Sequence, residues 1–183
     1  MRAVAREQSL LELGEGVEVS IDDLSDVSRT IEIIRGYDAV ISAYAPPSND
    51  TDRLVAVTWL LVEAIGRSGV SRLLTVGGAG SLEVATGVTL IASGHLPSEW
   101  MPIAQSHSRA LEVLKESTIN WTSLCPAAYF DPGERTGLFR LGKDNLIAND
   151  NGESRISMED YAIAMVDEVE QPLHERSRFS VGY

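Results

Sequence analysis

Cysteine and lysine are close to absent from this 183-residue sequence. The one cysteine, Cys125, excludes an internal disulfide. His95, His107 and His174 are widely spaced and have no second thiol beside them, which excludes the usual zinc-site patterns. Lysine occurs only at Lys115 and Lys143, so chemistry that needs an amine has two places to find one. No apolar run approaches the ~20 residues that span a bilayer, and Met1-Arg2-Ala3-Val4 leads into polar sequence instead of a signal-peptide core. Positive charge is also short. Lys and Arg total 15 against 27 Asp and Glu, a net charge of −12 that argues against nucleic acid or an anionic membrane as a partner. The expectation is a soluble, cytoplasmic protein without a metal site.

With 44% apolar residues the chain can bury one sizeable core but not two, so residues 1–183 read as a single domain. Short β-rich runs alternate with helical stretches. Arg2–Ala5, Val17–Ile21, Ala39–Ala43, Arg72–Val76, Trp121–Cys125 and Arg178–Tyr183 read as strands. Leu73-Leu74-Thr75-Val76 is apolar on both faces, as in a covered parallel sheet, and the alternation predicts right-handed βαβ crossovers. Val27, Ile31 and Ile34 mark a packing helix that Gly36 stops. In Thr51–Ser68 a stripe of Leu54, Thr58, Leu61 and Ile65 runs beside a second of Val55, Trp59 and Val62. That face is wide enough for cover by the domain itself or for a homodimer contact. Residues 137–141 and 145–148 flank Gly142-Lys143-Asp144, a hairpin signal. Ser157 and Asp160 are spaced to cap reciprocally a helix that Pro172 ends.

Several stretches, in order, carry a resemblance. They are Asp23-Leu24 after the second strand, Asp38-Ala39-Val40-Ile41-Ser42-Ala43 on the third, and Val76-Gly77-Gly78-Ala79-Gly80-Ser81 on the fourth. Pro132-Gly133-Glu134-Arg135-Thr136-Gly137 and Arg155-Ile156-Ser157 through Asp160-Tyr161-Ala162 follow. Together they resemble the NAD(P)H-binding proteins of the atypical short-chain dehydrogenase/reductase group, which includes flavin-reductase-like enzymes and NmrA-like cofactor sensors. The resemblance implies a Rossmann-like doubly wound α/β sheet with a small substrate-side segment at about 129–156. It aligns Met1–Arg6 with the family's second strand, and the first strand, the G-x-x-G-x-x-G turn and the first helix have no counterpart. None of the glycines completes that motif: Gly77 and Gly80 are followed by Glu83, and Gly66 and Gly69 by Arg72. The expectation is an N-terminally truncated domain, through a truncated gene model or start site; the alternatives are that the neighbouring strands close the gap, that another chain supplies a strand, or that a natural chain has lost cofactor affinity.

The resemblance also implies the site. Arg6 stands where the family reads the adenosine ribose, and an arginine there suits a 2′-phosphate, so NADP is favoured over NAD. An ordinary solvated arginine is the plain alternative. Asp23 and Leu24 match the adenine grip, although Asp22, Asp23 and Asp26 equally suit a turn and a helix cap. Ala43, Tyr44 and Ala45 follow the third strand, where the diphosphate and nicotinamide ribose pass. Gly77 and Gly78 end a strand so that a flat ring can approach the backbone. Ser81 and His107 are the candidate catalytic residues, as hydrogen-bond donor and proton donor. The Tyr-x-x-x-Lys pair of ordinary relatives is absent: Leu111 and Phe139 stand four residues before the lysines. Cys125 reads as a small buried residue. The implied function is an NAD(P)H-dependent reductase of a flavin, quinone or small carbonyl compound, provided the missing segment is present. The alternatives are a non-catalytic NAD(P)-sensing module and an inactive truncated fold.

Overall fold

A computed structural model describes residues 1–7 and 15–183. Its centre is a five-stranded sheet in the order β3 (Ala39–Ser42), β4 (Arg72–Val76), β7 (Trp121–Pro126), β11 (Ser177–Gly182) and β9 (Arg140–Gly142). The first four strands are parallel and β9 is antiparallel to β11. Three two-stranded sheets accompany it. β1 (Arg2–Ala5) pairs in parallel with β2 (Glu18–Ile21), β5 (Glu83–Ala85) forms a hairpin with β6 (Val88–Thr89), and β8 (Tyr129–Asp131) pairs in parallel with β10 (Arg155–Ser157).

Helices cover both faces of the central sheet because β4 and β7 are apolar on both sides. Leu73 turns into a core with α1 (Val27–Ile34), α2 (Arg53–Ser68) and α3 (Met101–Glu116), where Ile31, Leu61, Leu111 and Trp121 meet. Its neighbour Leu74 turns the other way, onto Tyr161 and Met165 of α4 (Met158–Glu170), with Leu124 and Phe179. Each such fully buried side chain contributes about 2 kcal/mol. The α/β class read from the sequence is therefore the one the chain forms, with a parallel-dominated sheet wound on both faces.

Local chemistry sets the helix ends. The Asp26 side chain accepts from Arg29 N–H to cap α1, and Gly36, at φ +84°, turns the chain away where a side chain would be strained. Gly69, at φ +83°, does the same for α2. α2 lies between α1 and α3, burying Leu54, Val57, Thr58, Leu61, Ala64 and Ile65. Of its second stripe, Val55 and Val62 are half-buried and Trp59 is 51% exposed, so the domain itself covers only part of that face.

Two expectations need correction. Residues 145–148 do not form a hairpin with 137–141: β9 pairs instead with Ser180–Gly182 of β11, and Asn145 bridges to Glu83. The central sheet offers β9 the buried end of β11, which outweighs the local turn signal. The cap at Ser157 is one-sided. Ser157 Oγ accepts from Asp160 N–H at 3.1 Å, but the Asp160 carboxylate does not reach back, and Ser157 N–H goes to the Tyr183 hydroxyl at 3.2 Å. Among the described residues no helix is long and apolar enough to cross a membrane, and no cluster of acidic, histidine or cysteine side chains is set to hold a metal ion.

Candidate functional site

The carboxyl edge of the parallel strands gathers most of the residues singled out in the sequence. Arg6, just past β1, donates to Ala45 O at 3.1 Å, and its guanidinium stands 5.5 Å from the centre of the Tyr44 ring. Ala43, Tyr44 and Ala45 thus meet Arg6 where β1 and β3 both end. Asp23 and Leu24, just past β2, form a tight turn: Asp22 accepts from Leu24 N–H at 2.8 Å, and Asp23 accepts from Ser25 N–H and Oγ–H at 3.1 and 2.6 Å. The Ser25 bonds hold the exposed Asp23 carboxyl below its usual range. Leu24 sits at φ +55°, an uncommon conformation for a branched side chain that the Asp22 bond supports. Arg53, at the start of α2, reaches Asp23 O and Oδ2 at 3.5 Å and so ties this turn to the same edge.

Tyr44, Gly77 and His107 come together around a cavity of about 20 Å³, also lined by Ser42, Thr75 and Ser123. This is room for about one water among hydroxyls, and the Tyr44 hydroxyl is buried there without a protein partner. His107 is packed hard against the end of β4: a Cβ on Gly78 would lie 2.7 Å from His107 Cβ. Burial pushes the His107 imidazole down to about 4, so it is neutral near pH 7. The glycines serve close packing as well. A Cβ on Gly77 would meet Cys125 Sγ and Ser123 Oγ at 2.8 Å, and one on Gly80 would meet Ala104 Cβ at 2.8 Å. Cys125 is buried, as its reading as a small core residue required, and burial pushes its thiol up to about 11.

Ser81 belongs to a different set of contacts. Arg178 of β11 donates to Ser81 Oγ at 2.8 Å and O at 3.1 Å, while its Nε donates to Asp144 at 2.6 Å. The hydroxyl is thus tied to the sheet, and the two candidate catalytic residues hold different partners.

Sequence reasoning missed two features. The first is a carboxylate clamp on the loop Pro132–Gly137. Asp160, 0% exposed, accepts from Thr136 N–H and Gly137 N–H at 2.8 Å, from the Thr136 hydroxyl at 2.5 Å and from the Tyr183 hydroxyl at 2.8 Å. Glu159 accepts from Gly133 N–H at 2.8 Å, and Ser157 donates to Glu134 O at 2.8 Å. Burial raises the Asp160 carboxyl, but the bonds from Thr136, Gly137 and Tyr183 outweigh it and leave it below its usual range. The signal in the sequence was the Ser157-x-x-Asp160 spacing, which points to a cap and not to a loop 24 residues away. The second is a cleft of about 620 Å³ where segment 128–155 meets residues 84–100. Leu90, Leu96 and Pro97 give it an apolar wall. Trp100 and Tyr129 meet edge to face with centroids 5.8 Å apart, and the Arg155 guanidinium stands 5.8 Å from the Tyr129 ring centre.

Strand ends that converge at one edge, with a half-open cleft beside them, define a Rossmann-like nucleotide-binding domain. The chain belongs to the NAD(P)H-binding family, whose model matches residues 1–172. It is 40% identical over 168 residues to the uncharacterised protein YwnB of Bacillus subtilis, covering 90% of this chain and 79% of that one. Its structure is similar to that of a Bacteroides thetaiotaomicron protein provisionally named an epimerase, with a TM-score of 0.91, 39% identity and coverage of 100% of this chain and 84% of the other. It is also similar to a Streptococcus pneumoniae protein provisionally named an NADH-flavin reductase, with a TM-score of 0.88, 30% identity and coverage of 99% and 86%.

The residues fit a nicotinamide dinucleotide in part. The arginine over Tyr44, at the end of β1 and β3, suits the ribose end. The diphosphate fits less well. The helices that begin beside these residues, α1 and α2, open with Asp26 and Asp52, and a carboxylate at a helix start repels phosphate. Arg109 pairs with Asp52 and, with Ser106, holds its carboxyl below its usual range, so that negative charge persists.

Proposed function

We propose that this domain serves an NADPH-dependent reductase of the atypical short-chain dehydrogenase/reductase kind, whose hydride acceptor is a flavin or quinone. The observation that carries this reading is the meeting of Tyr44, Gly77 and His107 at the sheet's carboxyl edge, in a domain that also holds the Trp100–Tyr129 cleft. A small carbonyl compound suits the site less. Reducing a carbonyl needs a proton donor at the oxygen, and here His107 is neutral, Ser81 is bonded to Arg178, and no tyrosine–lysine pair exists. A flavin or quinone takes its proton from water, and the aromatic walls with Arg155 suit a flat, electron-poor ring. When bound, NADPH would supply the hydride. Arg6 would hold its 2′-phosphate, Asp23 and Leu24 the adenine, and the backbone of Ala43–Ala45 and Gly77–Gly78 the path to the nicotinamide.

The same missing proton donor supports a second reading, a sensor that binds NAD(P) without turnover. Trp59, exposed on α2, supports assembly as a homodimer in either case. Two measurements separate the readings. NADPH consumption with flavin mononucleotide or menadione is expected for the reductase, whereas calorimetric binding without consumption indicates the sensor. No binding at millimolar NADPH defeats both. Arg6→Asp is expected to weaken NADPH at least tenfold relative to NADH, and an unchanged ratio removes Arg6 from the site.

A further inference from the structure

Arg178 is charged and yet largely buried within the central sheet, its side chain 13% exposed. Arg178 and Ser180 stand two apart on β11 and share one face of the strand, while Phe179 and Val181 on the other face enter the core against α4. From the first face Arg178 Nη1 donates to Ser81 Oγ at 2.8 Å and to Ser81 O at 3.1 Å, and its Nε donates to Asp144 at 2.6 Å. Ser180 Oγ donates to Asn145 O at 2.8 Å. One arginine thus fastens two segments remote in sequence, the turn 79–82 after β4 and residues 143–146 after β9, to the same strand.

Both segments lead directly into the cleft beside Trp100 and Tyr129. Glu83 N–H donates to Asp144 O and Leu146 N–H to Glu83 O, each at 2.8 Å, while the N–H groups of Leu90 and Ile91 donate back to Leu82 O and Gly80 O, each at 2.9 Å. Val84 and Leu90 from the one segment and Leu146 from the other line the cleft, whereas Arg178 does not. Their spacing is set where the segments are fastened. Stability alone does not call for an arginine here. Burying a guanidinium costs desolvation that an ion pair only offsets, and apolar replacement of such a pair is often neutral. Asp144 is moreover 61% exposed, so water takes over its carboxylate when the partner is removed. What an apolar side chain cannot do is hold two segments at once from one rigid fork of donors.

We propose that Arg178 is a positioning residue that sets which acceptor the cleft takes. It acts through Ser81 and Asp144 on the placement of Val84, Leu90 and Leu146, without lining the cleft itself. This rests on the reading of the cleft as the acceptor site. A three-ring flavin extends from the Trp100–Tyr129 pair to this apolar lining and depends on its spacing. A two-ring quinone seated against the aromatic pair depends on it less.

The test compares Arg178→Met, which keeps the length and loses every donor, with Arg178→Lys, which keeps the charge and reaches one segment only. With NADPH, Arg178→Met is expected to raise the KM for flavin mononucleotide about fivefold or more and that for menadione less than about twofold, with kcat for both within about twofold of wild type. Arg178→Lys is expected to recover part of the loss. NADPH affinity by calorimetry is expected to stay within about twofold. Amide exchange in the free protein is expected to quicken about tenfold at Leu90, Ile91 and Leu146 but not at Leu73 and Leu74 of β4. An unchanged KM for flavin mononucleotide overturns the proposal and leaves Arg178 merely structural. Equal losses with both acceptors and with NADPH overturn it in favour of general loosening. A wild-type chain that consumes no NADPH with either acceptor defeats turnover, and the positioning is then read from quenching of tryptophan fluorescence by flavin mononucleotide. Binding about fivefold weaker in Arg178→Met supports it. Equal binding, or none to the wild type, overturns it.

Discussion

Replacing Asp160 tests whether one buried carboxylate holds the loop Pro132–Gly137 in place. Its Oδ1 takes two backbone N–H groups, of Thr136 and Gly137, and its Oδ2 takes the hydroxyls of Thr136 and Tyr183. Alanine removes all four acceptor contacts. The hydroxyls can turn elsewhere, Tyr183 to Ser157 Oγ at 2.9 Å, but the two N–H groups cannot. At about 1–3 kcal/mol for each stranded donor, and with the part-buried loop free to admit some water, Asp160→Ala is expected to cost about 3–5 kcal/mol. Asparagine keeps an oxygen for the two N–H groups and turns its amide to hydroxyls that can accept, so Asp160→Asn is expected to cost about 1–2 kcal/mol. Urea unfolding gives both values, and limited proteolysis locates the damage at 132–138. The carboxyl lies below its usual range in the fold, so its contribution is present above the unfolded value of about 3.9 and disappears as pH falls through the folded one. A loss under about 1 kcal/mol for the alanine variant, or equal losses for the two variants, refutes the clamp.

Three other outcomes follow from buried contacts. Glu168 and Arg72, 4% and 5% exposed, pair at 2.5 Å, so Glu168→Ala strands a buried guanidinium and is expected to cost about 3–5 kcal/mol by thermal denaturation. Burial raises the Glu168 carboxyl, but bonds from His174 and Arg72 outweigh it and lower it, so the wild-type pair weakens only as pH falls below the usual carboxylate range, and the cost of the variant should shrink there. Gly78→Ala drives a methyl to 2.7 Å from His107 Cβ and is expected to destabilise by about 1–3 kcal/mol, measured by urea midpoint. Cys125, pushed up to about 11 and 1% exposed, is expected to resist iodoacetamide at pH 8 until the chain unfolds, and rapid native labelling contradicts its burial.

The strands of the central sheet were legible because they carry their own signal. Arg72–Val76 was read to the residue, as was Arg2–Ala5 outside that sheet, since a short apolar run bounded by polar turns fits little else. Helix ends were readable where the signal is local, as at Asp26 and Gly36. What could not be read depends on partners far along the chain. β9 joins β11, some forty residues on, and a Cβ on Gly142 would lie 2.7 Å from Ser180 Oγ, a reason for glycine that its own neighbourhood does not disclose. At the candidate site, the sequence placed Tyr44, Gly77 and His107 on three separate elements. It did not reveal that His107 closes on Gly78 and stays neutral, because burial is a property of the assembled core. The Trp100–Tyr129 pair was equally out of sight, since two isolated aromatics at the starts of separate elements have no period to announce them.

α4 is tethered at both ends by carboxylates that point inward. In its first turn Asp160 grips the loop after β8, and in its last turn Glu168 grips Arg72 at the start of β4 as well as His174. Eight residues of helix, about 12 Å, separate the two. A helix fixed at two such points can neither slide along its axis nor tilt without breaking a buried ionic contact, so it behaves as a strut. Because Glu159 holds the N–H of Gly133 and Asp160 those of Thr136 and Gly137, the loop Pro132–Gly137 is carried by this strut, and the two are expected to move as one body.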